Sequence, residues 1–243
     1  GMLAGLQGVG QLLELAAGRD VQAVVLNKGP ARVHGADAPL DAGLVVQLSG
    51  GTKHAIPPYG RTLVCSVGEA LRLGADAVSV QINIGPDQED RMLADFGHAA
   101  EEARLAGLPM LAVIAPRGGQ IVNELDPSLI SHCIRLGSEL GADLTGVPYS
   151  GDPESFAEAV EASDTPVLVT GGPGRTDPAR FLQAMDEALR CGAAGMCVGR
   201  NIFQAPDPGA LLDQLLDIVH TPRDEAPAGG EEAPEARDEE AGQ

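Results

Sequence analysis

Short runs of Val, Leu, Ile and Ala, bounded by Gly, Pro and Asp, recur along the chain, and stretches with helical spacing of apolar residues separate them. This alternation of strand and helix limits the fold more than any other feature. Connections of this length suit βαβ units, and strands that are apolar almost throughout have both faces covered, as in a parallel sheet. Seven strands are predicted, beginning near Val21, Leu44, Asp76, Pro109, Asp143, Val167 and Ala194. Helices are predicted over Gln7 to Ala17, Val67 to Leu73, Asp87 to Ala106, Asp126 to Leu140, Asp152 to about Ala162, Asp177 to Cys191 and Asp207 to Ile218. Ala31 to Ala42 reads as irregular with room for one helical turn, and Arg61 to Cys65 as short and extended. The chain opens on a helix, so an eight-stranded parallel barrel needs one more strand ahead of Gly1. A doubly wound open sheet is the competing arrangement, but it usually places its phosphate loop after the first strand. Here the glycine-rich strand ends come late. The expected fold is α/β, a (β/α)8 TIM barrel with its first strand missing from these 243 residues.

Function is best argued from Val167 to Phe203. The strand Val167-Leu168-Val169-Thr170 stops at Gly171-Gly172-Pro173-Gly174, and the strand Ala194 to Val198 ends at Gly199-Arg200-Asn201. Glycine lets main chain approach a ligand closely and leaves its N–H groups free to point outward. In a (β/α)8 barrel the loops after the last two strands are the usual phosphate site. Gly171, Gly172 and Gly199 are therefore expected to bind a phosphate monoester, with Arg200 adding a forked donor.

Composition narrows the partners. The apolar fraction of 44% rests on Ala, Val and Leu, since Trp is absent and only two Tyr and four Phe occur, so the core must be close-packed from small side chains. A net charge of −19 argues against nucleic acid, whose phosphates it would repel. From Arg223 onward eight acidic and two basic residues contribute −6, and the Pro, Gly, Ala and Glu content beyond His220 predicts an acidic disordered tail over 221–243. Residues 1–220 are then the barrel. Cys65, Cys133, Cys191 and Cys197 show neither a paired framework nor metal-type spacing, and read as buried, reduced thiols of a cytoplasmic protein. Neither an apolar run of membrane-spanning length nor a signal peptide is visible, so no membrane partner is expected.

An ordered set of motifs is similar to a known family. It comprises Leu44-Val45-Val46-Gln47-Leu48-Ser49, Leu73-Gly74-Ala75-Asp76-Ala77-Val78-Ser79-Val80, Pro116-Arg117-Gly118, Tyr149-Ser150-Gly151-Asp152, Gly171-Gly172-Pro173 and Val198-Gly199-Arg200-Asn201-Ile202-Phe203-Gln204. From about Leu3 to His220 the chain resembles the archaeal-type class I fructose-bisphosphate aldolases, and within them most of all the 2-amino-3,7-dideoxy-threo-hept-6-ulosonate synthases. The resemblance implies a (β/α)8 barrel, often assembled into homo-oligomers, that binds phosphorylated ketoses or keto acids and works through a lysine Schiff base. It also implies a lysine three residues before the tyrosine of the Tyr-x-Gly-Asp run, where this chain has Gly146. The tyrosine implied just before Pro-Arg-Gly is Ala115, and the aspartate of an Asp-His-Gly run would lie on the missing first strand.

Lys28 and Lys53 are the only lysines, each just past a strand end. A buried lysine loses proton affinity and can serve as a nucleophilic amine. Lys28 is thus either a substitute Schiff-base residue or the partner of a substrate charge or neighbouring carboxylate. Lys53 and His54 lie in a proline-rich loop and read as exposed. Gln47, Gln81 and Asn83 either line the barrel mouth or hydrogen-bond one another. Arg117 follows the family as a rim or structural arginine. His34, His98, His132 and His220 lack ligand spacing, and neither a metal nor an organic cofactor is expected. Two functions stay open: aldol-type C–C bond chemistry on a phosphorylated sugar or keto compound, or a catalytically degenerate homologue serving as a phosphosugar-binding or partner subunit.

Overall fold

A computed structural model describes residues 8–35, 41–52, 54, 59–119, 121–172 and 177–222. The apolar runs form β1 (Ala23–Asn27), β2 (Gly43–Gln47), β5 (Ala77–Ile84), β6 (Met110–Pro116), β7 (Leu144–Pro148), β8 (Val167–Thr170) and β9 (Gly195–Cys197), each within two residues of its predicted start. They pair in parallel in the order β1-β2-β5-β6-β7-β8-β9. This is the expected barrel order with one strand missing: a curled half-barrel whose edge strands are β1 and β9. Two very short strands, β3 (Ser49–Gly50) and β4 (Thr62–Leu63), form an antiparallel pair beside it. The extended character of Arg61 to Cys65 is legible in sequence, but its partner is not.

The helices are α1 (Val9–Ala16), α2 (Lys28–His34), α3 (Val67–Arg72), α4 (Glu89–Ala106), α5 (Pro127–Glu139), α6 (Pro153–Glu161), α7 (Pro178–Arg190), α8 (Arg200–Phe203) and α9 (Pro208–His220). Four of them, α5, α6, α7 and α9, start on Asp-Pro. The proline fits the first turn, where its missing N–H is not needed, and the aspartate carboxylate accepts an orphan N–H: Ser128 for Asp126, Ser155 for Asp152, Arg180 for Asp177 and Ala210 for Asp207. The one helical turn expected in the stretch from Ala31 is there, running to His34 in a helix that begins at Lys28. Arg200 opens a further short helix just past the end of β9.

A repeated Gly-Ala-Asp run sets where strands begin. Gly74 and Gly141 take φ of +79° and +89°, which a side chain would resist, and so stop their helices. The alanine that follows is buried, and the aspartate carboxylate then accepts the N–H that opens the neighbouring strand. Leu44 N donates to Asp76 at 2.8 Å and Met110 N to Asp143 at 2.7 Å. One motif thereby ends a helix and fastens a strand to its neighbour.

Strand residues alternate between the two faces of the sheet. Val46, Val78, Val80, Ile82, Ala112, Ile114, Val147, Val167 and Val169 face the helices and form the core with Phe96, Phe156, Ile130 and Met185. The other set, including Gln47, Ser79, Gln81, Asn83, Val113, Ala115, Gly146 and Thr170, faces the inside of the curl. At the edge strand Val25 is 41% exposed on this inner face. The outer layer is drawn together across the open side at its base. Arg19 Nε donates to Asp213 Oδ1 of α9 at 2.6 Å, and His220 Nε2 lies 3.4 Å from both the Asp20 carboxylate and Gln22 Nε2.

Cys65 and Cys133 are buried free thiols as expected, whereas Cys191 and Cys197 are only half-buried. Cys191 caps the end of α7, and Cys197 ends the edge strand β9. Burial, with the Glu69 charge adding, pushes the Cys65 thiol up to about 11, and burial pushes Cys133 to about 12. Among the described residues no helix is long and apolar enough to cross a membrane. Of the expected tail, 223–243 lies outside the described residues, as does Lys53.

Candidate active site at the mouth of the barrel

The two glycine-ended units are neighbours. β8 pairs with β9 through Leu168–Gly195, Val169–Met196 and Thr170–Cys197, so the chain past Thr170 runs beside the chain past Cys197. Asn201 Nδ2 donates to the Gly171 carbonyl at 2.6 Å, and Arg200 Nη2 reaches the Gly172 carbonyl at 3.5 Å. The four expected phosphate residues, Gly171, Gly172, Gly199 and Arg200, are thus brought together. Glycine is needed here for two reasons. A Cβ on Gly171 would lie 3.0 Å from Asn201 Nδ2, and Gly172 has φ of +61°. Asn201 is the member that sequence reasoning missed. Its amide ties the two loops together, and its Oδ1 is buried with no partner among the described residues. The only signal available was its place in the Gly-Arg-Asn run.

A cavity of about 280 Å³ opens on the α7 side of Gly171 and Gly172, with Tyr149, Arg180, Phe181 and Glu187 also on its wall. Tyr149 Oη donates to Glu187 Oε2 at 2.8 Å, and its ring meets Phe156 edge-on at 5.1 Å. Burial, and then the bond to Glu187, raise the phenol's pKa well above its ordinary value. It is held as a neutral donor and anchors the loop after β7.

Gly146 lies on β7 between Val113 and Leu168 and faces the inside of the curl. A Cβ there would meet Thr170, Val113 and Leu111 side chains at 3.4–3.7 Å, which is ordinary contact. Space for the start of a side chain is present, but no amine is. Ala115, paired with Asn83, is buried on the same face.

Lys28 follows β1 directly, and its Nζ lies 3.1 Å from Glu69 Oε2 of α3. At 42% side-chain exposure it is far from the desolvated state that makes a lysine nucleophilic. The Lys28 hydrogen bond, more than any other cause, lowers the Glu69 pKa. Lys28 does not touch the β8–β9 residues in any contact of the structure among the described residues.

Gln47, Gln81 and Asn83 resolve into a ladder on the inner face. Ser79 Oγ donates to Gln47 Oε1 at 2.6 Å, and Gln47 Nε2 donates to Ser49 Oγ at 2.9 Å. Gln81 Nε2 continues to Asn83 Oδ1 at 3.2 Å, and Asn83 Nδ2 to the Tyr59 carbonyl at 2.7 Å. Arg117, just past β6, pairs with Glu124 at 3.4 Å. His98 pairs with Glu102, and His132 is exposed. Among the described residues no group of three or more His, Cys, Asp or Glu is placed to hold a metal ion.

Comparison with known proteins follows the same lines. The family model for the DeoC/LacD family aldolases matches residues 2–205. A 2-amino-4,5-dihydroxy-6-oxo-7-(phosphonooxy)heptanoate synthase from Streptomyces griseus is 44% identical over 204 residues, spanning 84% of this chain and 74% of that protein. A 2-amino-3,7-dideoxy-D-threo-hept-6-ulosonate synthase from Archaeoglobus fulgidus is 38% identical over 82% of this chain and 74% of its own length. A solved Schiff-base-forming fructose-1,6-bisphosphate aldolase superposes with a TM-score of 0.79 at 34% identity, covering 86% of this chain and 83% of that one.

Proposed function

The chain belongs to the DeoC/LacD aldolase family, and from that premise we propose that it binds a phosphorylated sugar or keto compound through Gly171, Gly172, Gly199 and Arg200. The observation that carries this reading is the pair of bonds from Asn201 to Gly171 and from Arg200 to Gly172. They hold two glycine-ended strand ends side by side with a guanidinium above them, an arrangement suited to a phosphate dianion.

The chemical half of the proposal concerns β7. A Schiff base needs a primary amine, and the position that the family resemblance gives to lysine is Gly146. The reading is therefore of a family member that holds its phosphorylated ligand without forming a Schiff base on β7. A second reading keeps aldol-type C–C bond chemistry and moves the amine to Lys28, which stands at the end of β1. Its ion pair with Glu69 favours the first reading.

Calorimetry with dihydroxyacetone phosphate tests the binding half. Arg200→Ala removes a charged donor and should weaken binding about tenfold or more. Borohydride treatment of the same mixture tests the chemical half, and the protein mass should not change. A stable adduct that disappears in Lys28→Met would overturn the first reading and establish the second.

A further inference from the structure

We propose that Tyr59 is a ligand-contacting residue of the barrel mouth, its phenol hydroxyl donating to the keto or hydroxyl oxygen of the compound whose phosphate lies on the glycine loops. The inference rests on the glycine-loop reading and adds the group that reads the other end of the ligand.

Tyr59 has φ of +72°, the only positive value at a non-glycine among the described residues. For a bulky residue that conformation is strained, and a glycine in its place would be free of the strain. Burial of the side chain does little to offset it, because Tyr59 is 44% exposed. The other tyrosine is a contrast. Tyr149 is 7% exposed, meets Phe156 edge-on and donates to Glu187. One phenol belongs to the core, and the other is strained and exposed.

The strain is held in place by the inner wall of the barrel. Asn83 Nδ2 donates to the Tyr59 carbonyl at 2.7 Å, and Gln81 Nε2 donates to Asn83 Oδ1 at 3.2 Å. Asn83 is buried, faces the inside of the curl beside Ala115, and stands one residue short of the end of β5. The main chain of Tyr59 is thereby fixed at the mouth. The Gly60 carbonyl packs so closely on Gly51 that a Cβ there would stand 2.5 Å from it. Just beyond, Thr62 pairs with Gly50, and Leu63 N donates to Asp95 at 3.3 Å. Strain that the surroundings over-determine in this way is the mark of a ligand clamp more than of an ordinary turn. The position also suits the glycine-loop ligand. β5 and β8 lie three strand spacings apart, about 14 Å along the sheet and less across its curl. A tyrosine side chain and a triose phosphate together cover that span. With the phosphate met by glycine N–H groups and Arg200, the phenol is left the neutral oxygens at the other end.

The test is nitration of the full chain with tetranitromethane, read by peptide mass. Tyr59 should react, and Tyr149, buried and held as a neutral donor, should not. Saturating dihydroxyacetone phosphate should protect Tyr59, whereas inorganic phosphate, which lacks the keto end, should not. Calorimetry gives the second readout. Tyr59→Phe should weaken dihydroxyacetone phosphate about tenfold and leave inorganic phosphate unchanged. Tyr59→Gly should do the same without lowering the urea midpoint, because glycine takes this φ freely. A merely structural role would move the midpoint and not the affinity. Dihydroxyacetone phosphate that binds the parent and Tyr59→Phe equally, or that leaves Tyr59 nitration unslowed while bound, would overturn the proposal. Binding that Arg200→Ala weakens and Tyr59→Phe does not would strike this proposal alone. No binding by the parent would remove the glycine-loop reading and this one with it.

Discussion

Around β8 and β9 the barrel mouth is main chain, with Gly171, Gly172 and Gly199 half-buried and Asn201 and Arg200 reaching across to glycine carbonyls. Around β2, β5 and β6 it is side chain on side chain, from Ser79 and Gln47 through Gln81 to Asn83 and the Tyr59 carbonyl. The first half owes its shape to side chains that are absent, so an added group spoils it. The second owes its shape to side chains that are present, so a removed group spoils it. Opposite kinds of mutation should therefore break the two halves.

The largest effect is expected from adding to the first half. Gly171→Val puts a branched group where a Cβ alone would stand 3.0 Å from Asn201 Nδ2. Loss of that amide's bond together with the displacement should weaken dihydroxyacetone phosphate binding about a hundredfold. Calorimetry returning a value within about threefold of the parent would mean that main-chain shape does not govern this half. Next comes removal from the second half. Asn83→Leu leaves the Tyr59 carbonyl and the Gln81 amide without their partner and should cost about 1–3 kcal/mol in urea unfolding. An unchanged midpoint would show the ladder to be ornamental.

A smaller effect is expected at the two exposed ion pairs, one at each end of the molecule. The Arg19 hydrogen bond lowers the Asp213 pKa, and the Lys28 hydrogen bond lowers that of Glu69. A folded value below the unfolded one gives stability that is complete above about 3.9 for Asp or 4.3 for Glu. It is lost as pH falls through the lower folded value. Melting temperature should therefore drop on the acid side of about pH 4, and Asp213→Asn should flatten that limb without moving the neutral plateau much. An acid limb of the same steepness in this variant would remove Asp213 from the account. The smallest effect is none at all. We expect that cleavage near Thr221 leaves the melting temperature unchanged, because the sequence beyond it offers no apolar residue larger than proline. A fall of several degrees after limited proteolysis would refute this.

The contrast between the halves also explains what could be read from the chain alone. Strand starts were legible because apolar runs and Gly-Ala-Asp stops are local, and Val167–Thr170 is found where it was expected. The glycine half of the mouth was legible for the same reason, since missing side chains leave a mark in composition. Asn201 went unnoticed because its acceptor is 30 positions away. The Lys28–Glu69 pair joins residues 41 positions apart, and the Asn83–Tyr59 bond 24. Such partners are fixed by register and curl, which spacing does not encode. Gly146 was visible at once, but only as an absence, and the inward direction of its missing side chain came from the pairing of β6, β7 and β8.

The fastening of α9 to the segment before β1 bears on how the molecule assembles. Bonds that seat strands on their neighbours join residues 32 or 33 positions apart, as between Asp76 and Leu44 or Asp143 and Met110. The Arg19–Asp213 bond spans 194 positions, and the contact of His220 with Asp20 spans 200. Loop-closure entropy grows with the length enclosed, and distant pairings are reached late. Each strand can thus join the one before it during assembly, while the seam waits for the whole chain. A contact formed after the rate-limiting step leaves the folding rate alone and sets how quickly the native state opens. Arg19 and Asp213 act as a latch on lifetime, and their loss should appear in the unfolding arm of a chevron plot.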